Sequence, residues 1–253
     1  MIYKWLPYFL FKPLFGDRRR WGLKADPNDA DFKQWSSNCY MQFYHDNQKG
    51  TIGSMVNHYG FRIMRHVDLT GKRVLEVGPG IIEHLSYNHT RPESYFLVDI
   101  KKEMLTQSAE QLKKYGIHQV KMIQVTGTHL PLETDSVDMV ITFHQLEHIY
   151  ELDQYVQELK RVLKPSGLIV GAVPAEGGMA WGVGRFLTSR RYVKKNMPID
   201  YDKIICWEHP NFVNKLKQIL NKNFESIKSI KKPFCFLPMD FNLSWSFIFR
   251  NVK

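Results

Sequence analysis

The chain has only three cysteines in 253 residues. Cys39, Cys206 and Cys235 are odd in number, far apart and without C-x-x-C spacing. That argues against a disulfide framework or a cysteine zinc site and fits a reducing compartment. No run approaches the roughly 20 apolar residues that a membrane-spanning helix needs. There is no internal repeat and no low-complexity tract. Acids are scarce, with 25 Asp and Glu against 35 Lys and Arg, for a formal charge of +10. That balance favours anionic company such as nucleic acid, a phosphorylated substrate or an acidic membrane face, or simply aids solubility. A hydrophobic share of 43% is enough for a core and excludes global disorder.

Met1 to Phe15 is aromatic-rich but broken by Lys4, Pro7, Lys12 and Pro13, and it lacks the small-residue cleavage site of a signal peptide. Arg18, Arg19, Arg20 and Trp21 follow. Residues 1–45 read as an irregular arm, expected to pack on the domain or close over the substrate. Resting on an anionic membrane surface is the lesser alternative. A cytoplasmic location is expected, peripheral to the inner membrane face at most.

Residues 46–253 read as one domain. Asn47 to His66 carries helical spacing in Ile52, Met55, Val56, Tyr59, Ile63 and Met64. Strands are predicted at Arg73 to Val77, Tyr95 to Val98, Gln119 to Val125, Val137 to Phe143 and Leu168 to Val173. Helices are predicted over Lys101 to Tyr115 and Leu152 to Leu163, the second stopped by Lys164-Pro-Ser-Gly167. This alternation predicts an α/β fold with a mainly parallel sheet covered on both faces. Residues 175–206 interrupt it with a glycine-rich, aromatic and basic insertion that shows no clear core period, the kind of segment that commonly carries function. A helix is expected to resume over Pro210 to Leu220. Two last strands, Glu225 to Lys231 and Leu243 to Phe249, are expected as an antiparallel hairpin at the sheet edge.

Val74-Leu-Glu-Val-Gly-Pro-Gly80 carries the most information. Gly78 and Gly80 let the backbone turn sharply after a strand, so a ligand can approach the carboxyl edge of the sheet. A dinucleotide fingerprint would place its third glycine at Glu83, where a carboxylate near a helix start would repel a pyrophosphate. Glu76 adds a second negative charge, so a cationic ligand fits better. Asp99, at the end of the next strand, can accept from two ribose hydroxyls.

These segments, with Leu130-Pro-Leu-Glu-Thr-Asp-Ser-Val-Asp-Met-Val140, Leu146-Glu-His-Ile149 and Leu159-Lys-Arg-Val-Leu-Lys-Pro-Ser-Gly-Leu168, resemble class I S-adenosylmethionine (SAM) dependent methyltransferases of the type 11 kind over Gly71 to Pro174. The resemblance implies a Rossmann-like seven-stranded sheet and SAM as cofactor. It implies Glu76, Gly78, Pro79 and Gly80 at the methionine and ribose end, Asp99 on the ribose, and Ile100 beside the adenine. Two departures stand out. Ile82 occupies the family's third glycine, and Thr126 replaces the acid that often holds the adenine amino group. Thr126, Gly127 or Thr128 is expected to make that contact instead.

Phe143-His-Gln-Leu-Glu-His148 faces the cofactor in such a fold. If a helix starts there, His144, Glu147 and His148 share a face and can move protons, with histidine titrating near neutrality. With His209 they also resemble the metal motif of certain O-methyltransferases, so a divalent metal is the less favoured alternative. The plainest reading is a helix-start element packed on the sheet. In the insertion, Arg185, Arg190, Arg191, Lys194 and Lys195 lie among aromatics suited to sugars, bases or phosphates. The termini and insertion, with Asp200-Tyr-Asp202 and Glu208-His-Pro-Asn211, are similar to methyltransferases of bacterial surface-polysaccharide clusters.

The resulting expectation is an O-methyltransferase for a small-molecule or glycan acceptor, anionic in view of the charge. RNA methylation is the runner-up, with no RNA-binding module or lysine-rich tail to support it. A non-catalytic SAM-binding protein comes third, and a NAD-dependent dehydrogenase last.

Overall fold

The computed structural model describes residues 1–43 and 51–253, with side chains described outside 51–53. The expected helix start at Asn47 and the boundary between arm and domain at 45/46 lie outside the described residues.

Seven strands form one sheet: β1 (Arg73–Val77), β2 (Ser94–Asp99), β3 (Val120–Gln124), β4 (Val137–Phe143), β5 (Leu163–Pro174), β6 (Glu225–Lys232) and β7 (Ser244–Arg250). Their order is β3-β2-β1-β4-β5-β7-β6. β1 to β5 pair in parallel, and β7 inserts antiparallel between β5 and β6. The predicted hairpin is present, with β6 rather than β7 at the edge. Residues of β1 and β4 alternate between two buried layers: Leu75, Val77 and Val140 face one core, while Val74, Met139 and Ile141 face the other. Burial on both faces explains why these strands read as continuous apolar runs.

The helices are α1 (Tyr8–Phe15), α2 (Arg18–Trp21), α3 (Ala30–Gln34), α4 (Thr51–Phe61), α5 (Lys102–Lys114), α6 (Leu152–Val162), α7 (Met179–Leu187), α8 (Ser189–Asn196), α9 (Tyr201–Glu208) and α10 (Val213–Asn223). In α6, Leu152, Tyr155, Val156, Leu159 and Val162 are buried at helical spacing. β5 starts directly at Leu163, earlier than predicted. The Lys164-Pro-Ser-Gly167 turn becomes an irregularity inside the strand, with Ser166 at φ 61° and a register shift against β4.

The arm is not irregular. Its aspartates are helix caps: Asp17 accepts from the Arg20 N–H at 3.2 Å, and Asp29 from Asp31 and Phe32 at 3.0 and 3.1 Å. The insertion is not irregular either, since α7, α8 and most of α9 fall within 175–206. Its apolar residues Val193, Met197, Ile204 and Ile205 have no sheet to face. They bury against Trp35 and Cys39 of the arm in a third core.

Buried ion pairs fasten these two segments. Arg185, with a side chain 2% exposed, donates to the Leu14 and Pro13 carbonyls and pairs with Asp202 at 3.2 Å. Arg190 grips Asp202 at 2.6 Å, and Lys203 meets Asp29 and Asp31 at 2.7 Å each. Removing one member of a buried pair strands the other charge, typically at a cost of about 3–5 kcal/mol. Asp202→Ala is therefore expected to lower unfolding free energy by about 3 kcal/mol, read as an earlier midpoint in urea denaturation. A midpoint equal to the parent's would remove Asp202 as the fastener.

Candidate functional site

The glycine turn sits at the carboxyl end of β1. Gly78 and Gly80 adopt φ 60° and 55°, the left-handed region where a side chain is strained. The Gly78 N–H donates to the Val98 carbonyl at 2.8 Å, tying the turn to β2. A Cβ on Gly78 would lie 2.3 Å from Gln145 Cγ and 3.0 Å from its Cβ. From the other side α5 holds the turn. Ser108 donates to the Gly80 carbonyl at 2.8 Å, and the Gln111 side chain accepts from the Ile82 N–H at 2.6 Å.

This turn lines a cavity of about 440 Å³ together with Pro79, Asp99, Ile100, Gly127, Phe143, His144 and His148. That volume lies within the roughly 300–1,000 Å³ of small-molecule sites. Asp99 accepts the Lys101 N–H at 2.8 Å through one oxygen, which leaves the other for ligand hydroxyls. Burial raises the Asp99 pKa despite that bond. Met104, Val125 and Tyr155 line the same cavity, beside Ile100. A turn without Cβ atoms, a carboxylate with a spare oxygen and apolar side chains next to it fit a nucleoside such as that of SAM.

Several predicted residues lie elsewhere. Glu76 is 1% exposed and is not part of the lining. It accepts from the Tyr95 hydroxyl at 2.5 Å and stands 3.6 Å from His84 Nε2. Burial pushes its pKa up to about 8. The expected negative charge is therefore not presented at neutral pH, because the carboxyl is sealed beneath the turn. Thr126 and Thr128 flank Gly127 outside the lining. Glu83 is exposed, and only the short 3₁₀ turn His84–Tyr87 follows it. The repulsion argument based on a helix start therefore has no helix to act through.

No α-helix begins at His144. β4 ends there with the histidine at φ 53°, and a single 3₁₀ turn, Leu146–His148, follows. Positive φ is uncommon outside glycine, and such strain clusters at functional sites. His144 Nδ1 lies 3.9 Å from Glu147 Oε1. The His148 and His209 rings meet edge to face at 4.6 Å. His209 is held by a short hydrogen bond between its Nδ1 and Glu176, whose other oxygen takes Arg18 at 3.2 Å. The four predicted residues are thus neighbours, although only His144 and His148 line the cavity. Among the described residues, no group of three or more His, Cys, Asp or Glu side chains is placed to hold a metal ion.

Titration runs opposite to the expectation. Burial lowers the His144 and His148 pKa values to about 4 and about 3, and His209 lowers both further. Both rings are therefore neutral near pH 7. Burial raises Glu147 to about 7, against an opposing pull from His209. The pKa of His209 is raised, because its attraction to Glu176 outweighs burial.

The lining is also aromatic: Phe32, Trp35 and Tyr40 come from the arm, Trp207 from α9, and Phe61 from α4. Glu208 and Asn57 add polar edges, and Lys101 lies 3.9 Å over the Tyr40 ring. The arm residues were missed because nothing local marks them; only the density of aromatics there hinted at a roof. Arg185 and Arg190, two of the insertion's candidate substrate contacts, are consumed by Asp202.

Residues 75–171 match the family model described as Methyltransferase domain. A Mycobacterium tuberculosis protein named a probable S-adenosylmethionine-dependent methyltransferase is 38% identical over 55 residues, covering 22% of this chain and 20% of that one. Demethylmenaquinone methyltransferase of Geobacillus stearothermophilus is 26% identical over 132 residues, 50% of this chain and 56% of its own. The matches therefore span between a fifth and just over half of these relatives' lengths. A solved SAM-dependent methyltransferase from Aquifex aeolicus superposes with TM-score 0.52 at 16% identity, over 76% of this chain and 88% of that one. The fold is that of class I methyltransferases, and the segment carrying the glycine turn lies within the residues that match the methyltransferase-domain model.

Two predictions follow from the site's geometry. Gly78→Ala is expected to cost about 1–2 kcal/mol for the left-handed backbone alone, with part of any further loss restored by Gln145→Ala; both are read by urea denaturation. A native pKa raised above its unfolded value favours folding below the unfolded pKa, and that contribution is lost as pH rises through the native one. For Glu147 the window runs from the ordinary carboxylate value of 4.5 to about 7. Glu147→Gln should therefore gain stability relative to the parent between pH 5 and pH 7.5. Parallel pH profiles for the two proteins would contradict the assignment.

Proposed function

We propose that this chain is a SAM-dependent methyltransferase that transfers a methyl group to a hydroxyl of a small-molecule or glycan acceptor. The observation that carries the reading is one cavity lined by two unlike sets of residues: the glycine turn with Asp99, and aromatics of the arm and insertion with His144 and His148. When bound, SAM supplies an electrophilic methyl group on a sulfonium.

The chain's own work is alignment, exclusion of water and proton handling. The glycine turn and Asp99 hold the nucleoside. Trp35, Tyr40 and Trp207 offer flat apolar faces to a sugar or ring, and Glu208 and Asn57 offer hydrogen bonds to its hydroxyls. His144, a neutral ring in the lining, accepts the acceptor's proton as the new bond forms. Glu147 Oε1, 3.9 Å from its Nδ1, is too far for a hydrogen bond but near enough to favour the imidazolium by charge when ionised. The glycan class rests on the aromatic lining and on the resemblance of the insertion to polysaccharide-cluster methyltransferases. The acceptor needs no anionic group here, since Lys101 is the cationic side chain lining this cavity beside Asp99 and Glu208.

Purified protein incubated with methyl-labelled SAM and cell fractions separated into glycan, lipid, RNA and protein is expected to label the glycan or small-molecule fraction. Label confined to RNA would reject this acceptor class. Asp99→Ala is expected to abolish detectable SAM binding by calorimetry while the protein stays folded. His144→Ala should bind SAM normally yet transfer about 10²–10⁴-fold more slowly, the usual contribution of a positioned base. Unchanged turnover would dismiss His144 as the base.

A further inference from the structure

A second cavity, of about 460 Å³, lies under the N-terminal arm and has no part in the reading above. Leu6 and Phe11 of the arm face it together with Phe212 at the start of α10. Among the described residues, four cations also line it, Lys4, Arg18, Arg19 and Lys215, and no carboxylate does. Arg18 is already engaged, donating to Glu176 at 3.2 Å and to the His209 carbonyl at 2.9 Å. The other three have no such pairing with an acid among the described residues. Arg19 lies 4.6 Å over the Tyr8 ring, and Lys215 donates to the neutral Asn211 side chain at 2.8 Å. Packed like charges without a counter-charge repel one another, so the arrangement gains when an anion enters.

The apolar half of the lining narrows the ligand. Inorganic phosphate would satisfy the cations and leave Leu6, Phe11 and Phe212 unused, and a neutral apolar molecule would do the reverse. Between the lining residues, the arm turns Trp5 and Phe9 outward, 87% and 74% exposed. Two aromatics that exposed beside a cationic mouth are costly in water and suited to an interface between apolar chains and charged headgroups.

We propose that the cavity under the arm is a second binding site, for a phosphate group joined to an apolar chain. The phosphate sits among Lys4, Arg19 and Lys215, and the first part of the chain lies against Leu6, Phe11 and Phe212. An anionic lipid headgroup and a lipid-linked phosphate share this chemistry.

Calorimetry with dihexanoyl phosphatidate below its aggregation concentration tests it, with inorganic phosphate and dihexanoyl phosphatidylcholine as controls. The expected result is saturable phosphatidate binding at least tenfold tighter than either control. It should weaken at least tenfold in Lys4→Glu/Lys215→Glu and several-fold in the milder Arg19→Gln, with melting temperature and SAM affinity unchanged. Phosphatidate bound no tighter than inorganic phosphate, or bound equally by the parent and Arg19→Gln, would overturn the site. Vesicles of phosphatidylglycerol and of phosphatidylcholine then separate the two sources. Capture by the first alone, lost in Trp5→Ser/Phe9→Ser, points to a bilayer. Phosphatidate binding without vesicle capture points to a freely diffusing lipid-linked phosphate.

Discussion

The Glu176 carboxylate, with a side chain 1% exposed, must be compensated where it lies, just beyond the end of β5. An unpaired charge at that depth costs several kcal/mol. Arg18 reaches it from the arm and His209 from the far end of the insertion, so one buried acid draws three distant segments together. The consequence reaches the cavity. His209, clamped by Glu176, sets its ring against His148, which lines the chamber. Asp202 acts in the same way for Arg185 and Arg190 a few ångströms from the arm's backbone. The chamber's walls are therefore built as much by paired charge as by apolar burial.

That explains why a net charge of +10 says little about the cofactor cavity. Arg185 and Arg190 of the insertion are spent on Asp202, and the cavity itself is edged by Asp99 and Glu208 with Lys101 next to Asp99. Unspent positive charge collects instead under the arm, around Lys4, Arg19 and Lys215. Two cavities of similar size thus differ in electrostatic character, and Arg18, which lines the second, donates to the carbonyl of His209, whose ring meets His148 of the first.

Burial also decides which groups titrate. Histidine in water changes charge near pH 6.5, which makes His144 and His148 natural candidates for a switch near neutrality. Set largely out of water between the sheet end and the insertion, both are held neutral well below that pH, while the Glu147 carboxyl behind them rises into the neutral range. The same desolvation mutes Glu76 beneath the glycine turn. In each case it is the charged form that loses its water.

The sequence by itself determined the sheet and the cofactor end. Strand periodicity, the Gly78-Pro79-Gly80 turn and Asp99 at a strand terminus are local properties, fixed by sterics and spacing over a few residues. The parallel strands were therefore legible almost to their ends. Tertiary structure alone decided the aromatic part of the lining. Phe32, Trp35 and Tyr40 reach the cavity only because the arm, read as irregular, folds into capped helices and docks on α7, α8 and α9. The charge states of Glu76, His144, Glu147 and His148 were equally hidden, because a pKa depends on how much water surrounds the group. Spacing along a chain carries propensity and periodicity; it does not carry burial, which arises only when distant segments close over one another.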